Sequence, residues 1–107
     1  MSLQGCYAVI FTSTRTDVDA AGYAAMAEEM EQAARAQPGF LAIESVRGAD
    51  GRGITVSYWE SLEAIDRWKA DLAHQSAQRL GRERWYAGYS VCVARVERAY
   101  DFGTERS

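Results

Sequence analysis

The chain has 107 residues, 48% hydrophobic and 25% charged, with a formal net charge of −3. That length fits one domain with one modest core, and the mixed charge excludes the clustered positive surface of a nucleic-acid binder, since even "RLGRER" (Arg79 to Arg84) contains a glutamate. No apolar run approaches the ~18 residues of a membrane-spanning helix, and no basic start leads into an apolar stretch, so no membrane association and a cytoplasmic location are expected.

"CYAVIFTST" (Cys6 to Thr14) is apolar, β-branched and aromatic, and reads as a first strand. Asp17 and Asp19 then offer N-caps, because an aspartate oxygen accepts from an orphan N–H of the first helical turn. Tyr23, Met26, Ala27, Met30 and Ala34 recur at helical spacing, with Glu28, Glu29 and Glu31 largely off the stripe. Pro38 and Gly39 stop this helix near Ala36. "FLAIESVRG" (Phe40 to Gly48) reads as a second strand, Asp50–Gly51 as a hairpin turn and "ITVSYW" (Ile54 to Trp59) as a third strand. Ser61 can cap the next helix, whose buried stripe is Leu62, Ile65, Trp68 and Leu72, and which is expected to run on, bent, through "HQSAQRL" to Gly81. "YSVCVARVERAY" (Tyr89 to Tyr100) is the fourth strand. A single domain over 6–102 is expected, with flexible ends at 1–5 and 103–107.

The order β-α-β-β-α-β predicts an α+β, ferredoxin-like fold: a four-stranded antiparallel sheet, strand order 4-1-3-2, with both helices on one face. Cys6 then falls opposite the end of the last strand, well away from Cys92, so two free, buried thiols are expected. His74 is the only histidine and neither cysteine has a near partner in sequence, so no metal site is expected.

Two helices cover only one face of a sheet, and a wet second face should alternate apolar with polar residues. In "YAVIF" both parities are apolar, and Val91 and Val93 oppose Cys92, Ala94 and Val96 in the same way. A second copy of the same sheet is the simplest cover, so a homodimer through the sheet face is expected.

"QPGFLAIES", "ITVSYWESLEAIDRWKADLAHQSAQ" and "WYAGYSVCVARVERAY" together resemble the antibiotic biosynthesis monooxygenase superfamily of dimeric α/β barrels, over about Cys6 to Phe102. The resemblance implies a pocket between sheet and helices in each subunit. It also implies activities that include cofactor-independent oxidation of aromatic phenols with O₂ and haem degradation. Trp68 and His74 match two positions that those enzymes use, but His74 follows the tryptophan too closely for the haem-ligand pattern. Both branches rely on a pocket asparagine. This chain contains none, and Ile10 or Phe11 holds the corresponding place on the first strand.

These residues yield a site hypothesis. Histidine is the side chain that can change charge near neutrality, so His74 is the candidate base for a phenolic proton. Trp68, Trp85, Tyr86 and Tyr58 are candidates to line a pocket for a small hydrophobic or aromatic ligand. Strand parity leaves open whether Tyr58 or Ser57 faces that pocket. Arg95 interrupts an apolar parity and is a candidate partner for an anionic ligand, for Glu44, or simply for solvent. The expected activity is a monooxygenase acting on a phenol or enol with no cofactor; the alternative is a non-catalytic binding protein of the same fold.

Overall fold

The computed structural model describes residues 3–73 and 85–103. Six elements follow in order: β1 (Tyr7–Arg15), α1 (Ala20–Arg35), β2 (Phe40–Arg47), β3 (Arg52–Trp59), α2 (Leu62–Ala73) and β4 (Tyr86–Arg95). The strands form one antiparallel sheet in the order β2-β3-β1-β4. This is the expected ferredoxin-like arrangement.

Local chemistry sets the boundaries. Asp19, not Asp17, caps α1: its backbone takes the left-handed conformation (φ 51°) and its carboxylate accepts from Gly22 N at 3.1 Å. Ser61 Oγ accepts from Ala64 N at 3.1 Å and opens α2. The expected continuation of α2 to Gly81 lies outside the described residues. β4 departs from expectation at both ends. It starts at Tyr86 because a register shift between Thr14 and Arg15 lets Tyr86 pair with Arg15. It stops at Arg95 because β1 ends opposite, at Tyr7, and the last bonds beyond are Val96 N to Cys6 O and Gly5 N to Val96 O. Apolarity carries "VERAY" no further as a strand once its partner is exhausted.

The register settles the faces. Val9 packs with Ala34 of α1, Trp59 of β3, and Ala64 and Ile65 of α2, with Tyr7, Phe40 and Trp68 against them. Alternation therefore puts Tyr7, Val9, Phe11, Ser13 and Arg15 on the helix side. Ala8, Ile10, Thr12 and Thr14 share the other face with Ile54, Val56 and Tyr58 of β3. Neither described helix covers that face, and Val46 and Ile54 on it are 72% and 44% exposed.

Both cysteines are free. Cys6 is buried beside Val96, and burial pushes its thiol pKa up. Cys92 is not buried as expected. It pairs with Ile10 on the uncovered face and is exposed within one chain.

Gly39 makes the turn into β2 with φ 86°, and a Cβ there would sit 2.7 Å from the Ala64 methyl. A left-handed backbone and a clash add, so Gly39→Ala should destabilise the fold by roughly 2–5 kcal/mol. A urea melt should show this as a lower midpoint with an unchanged slope.

Candidate functional site

β1 runs along the helix side of the sheet between two aromatic groups. At its start lies Trp59, fully buried, with its indole N–H donating to Ser57 Oγ at 2.9 Å. Trp68 of α2 stacks on it at 4.8 Å and 27°, and Phe40 meets it edge-on at 5.5 Å. One face of Trp68 is thus committed to the core, while its own indole N–H is shut off from solvent without a hydrogen-bond partner.

The second group is built around Tyr23, which the amphipathic stripe of α1 lowers onto the sheet. The register shift at Arg15 brings Tyr86 beside it. Tyr23 meets Tyr86 and Trp85 edge-on at 5.8 and 6.4 Å, and Phe11 contacts Tyr86 and Tyr89 at 5.5 and 5.3 Å. Such geometries are the favoured ones for aromatic pairs. Two arginines sit on the same Tyr23 ring: Arg15 Cζ at 3.8 Å from its centroid and Arg47 Cζ at 5.5 Å. Arg47 donates to Ser13 Oγ at 2.8 Å, to the Tyr23 hydroxyl at 3.1 Å and to the Gly51 carbonyl.

The electrostatics of this group are unusual. The Tyr86 phenol is pushed above the ordinary tyrosine range, first by burial and then by its hydrogen bond to Tyr23. The two arginines oppose the shift and lose. Tyr86 is therefore a neutral phenol across the physiological range, able to donate but not to act as a base. Arg15 Nε and Nη2 and the Trp85 indole N–H are closed to solvent and have no hydrogen-bond partner among the described residues.

Along β4, Tyr89, Val91 and Val93 share the parity of Phe11 and Val9 and so face the helix side. They are nonetheless 44%, 52% and 45% exposed. An apolar strip thus lies open beside the aromatic group. A hollow of about 420 Å³ lies elsewhere, at the β2–β3 hairpin against Val46, Arg47, Gly53 and Ile54. It is open and holds none of the expected site residues, so we place the candidate site on the strip.

Of the expected site residues, Trp85 and Tyr86 stand together here, and Trp68 lies at the other end of β1. Tyr58 lies on the face away from the helices, which answers the parity question in favour of Ser57. Arg95 is exposed at the far end of β4, opposite Tyr7. Pairing with Glu44 is ruled out, because the two residues sit on opposite edge strands and opposite faces of the sheet. His74 lies outside the described residues. Arg15 and Arg47 went unnoticed in the sequence. The signal was available in Arg15, which continues the helix-side parity of Val9, Phe11 and Ser13. Among the described residues, no group of three His, Cys, Asp or Glu side chains gathers that could hold a metal, and no helix is long and apolar enough to cross a membrane.

The profile of the family described as "Antibiotic biosynthesis monooxygenase" matches residues 7–80. The chain belongs to that family. The uncharacterized protein YqjZ from Bacillus subtilis (strain 168) is 54% identical over 92 residues, 86% of this chain and 80% of that protein. Among solved structures, SnoaB, a cofactor-independent oxygenase from Streptomyces nogalater, is similar with a TM-score of 0.72 at 14% identity, covering 94% of this chain and 99% of that one. Rv0793 from Mycobacterium tuberculosis is similar with a TM-score of 0.71 at 17% identity, covering 92% and 99%. At those identities the likeness shows the fold alone.

The raised Tyr86 phenol has a consequence for stability. Unfolded tyrosine ionises at about pH 10, whereas folded Tyr86 holds its proton higher. Its contribution is therefore complete below that pH and is lost as pH rises through the folded value. Above about pH 10 the urea midpoint of the wild type should fall more steeply than that of Tyr86→Phe.

Proposed function

We propose that the protein is a cofactor-independent monooxygenase that oxidises a small, flat phenol or enol with O₂. The observation that carries this reading is the exposed strip of Tyr89, Val91 and Val93 beside Phe11, walled by Trp85 and Tyr86, within a family of that description. A flat ring laid on the strip buries apolar surface worth about 25 cal/mol per Å². Binding there orients the ring and excludes water. A base, for which His74 is the candidate, removes a proton. The delocalised anion is itself a reductant and passes an electron to O₂. Recombination at carbon and loss of water turn a ring CH₂ into C=O, with one oxygen atom in the product and the other in water. The neutral Tyr86 phenol is a hydrogen-bond donor, and the arginines add positive potential. Together they favour the anion without an asparagine, which this chain lacks. In this reading two copies close over the uncovered face of Ile10, Val56 and Ile54.

A second reading, a binding protein of the same fold without chemistry, is favoured by the lack of any asparagine. An oxygen electrode separates the two. A panel of anthrones and quinols should consume O₂ without added cofactor, and His74→Ala should slow turnover by about 100-fold or more. Unchanged turnover would remove His74 from the mechanism. A ligand that raises the melting temperature with no oxygen uptake across the panel would favour the second reading. Added hemin should give no shifted Soret band.

A further inference from the structure

We infer that Arg15 and Arg47 form an anion-recognition subsite at the end of the aromatic wall, so that the flat guest carries a carboxylate. This rests on the preceding reading only in placing the guest on the same strip.

Three observations converge on it. Arg15 holds a guanidinium over the Tyr23 ring, with Nε and Nη2 shut off from water and without a hydrogen-bond partner among the described residues. Among the described residues, Arg47 bonds only to neutral oxygens, those of Ser13, Tyr23 and Gly51. Neither has an ion-pair partner among the described residues. Two cations thus share one tyrosine ring with no counter-charge among the described residues, and Tyr86 beside them stays neutral.

A buried charge without a partner is costly, and two like charges add repulsion. An entering anion relieves both. Arg15 is already partly stripped of water, so an anion meets less of the desolvation cost that weakens surface ion pairs. The planar fork of arginine matches a carboxylate in two-point contact, which a single ammonium would not. The Phe11, Tyr86 and Tyr89 rings begin directly beside this charged end. A guest that satisfies both parts is an aryl carboxylate, with its ring on the strip and its acid group toward Arg15 and Arg47.

Calorimetry with hydroxynaphthoate and with its neutral methyl ester tests this on the intact protein, with no turnover needed. The acid should bind at least about ten-fold tighter than the ester. The difference should shrink as salt rises, and Arg15→Met or Arg47→Met should abolish it. Equal affinities for acid and ester in the wild type, or no binding of the acid, overturn the inference. That comparison requires no variant to fold. Oxygen uptake on neutral anthrones without a preference for the acid would remove this subsite and leave the oxygenase reading. Tight acid binding without oxygen uptake on any substrate would do the reverse.

Discussion

β1 is hydrogen-bonded along both edges, to β3 and to β4, and it is apolar on both faces. Those two conditions organise the molecule. The helix-side residues Tyr7 and Val9 draw α1 and α2 onto the sheet through Ala34, Ala64 and Ile65. A central strand that is apolar on its other face as well, through Ala8 and Ile10, needs a second layer there, and neither described helix supplies it. An antiparallel sheet with one covered face commonly presents polar residues on the other. Here Ile10, Val56, Ile54 and Val46 make it greasy instead.

The same strand sets up the site. Its helix-side residues change character along its length, from the packed core around Val9, through Phe11, to Ser13 and Arg15. The helices crowd the first end. At the far end, Tyr23 and the residues around Tyr86 build a box that is aromatic in its walls and cationic in its charge. β4 is the edge strand beside Phe11, and its apolar helix-side residues remain open. A closed core, an open strip and a charged end therefore follow one another along a single strand. That gradient separates what holds the fold together from what is free to meet a ligand.

Much of the fold was legible because punctuation and periodicity act locally. Pro38–Gly39, Asp50–Gly51 and Ser61 mark boundaries by their own backbone chemistry, and the β-α-β-β-α-β order leaves few topologies once crossovers are right-handed. The extent of β4 was not legible, because a strand ends where its neighbour does, and "VERAY" carries no trace of the length of β1. The facing of Tyr58 was undecidable for a related reason: parity becomes a direction only when register is known. The arginine box was harder still. Arg15 and Arg47 lie 32 positions apart in sequence and meet only because β1 and β2 both flank β3 while Tyr23 descends from α1. Trp85 and Tyr86 were legible as an aromatic cluster, yet their partner Tyr23 read only as one more residue on a helix stripe.

The proposed contact between two copies of this chain through the second sheet face rests on the uncovered apolar residues there. Sedimentation equilibrium at micromolar concentration tests it most directly. A single species with the mass of two chains is expected. A stable monomer at those concentrations would contradict it, because the apolar face of β1 would then stand in water with nothing to cover it.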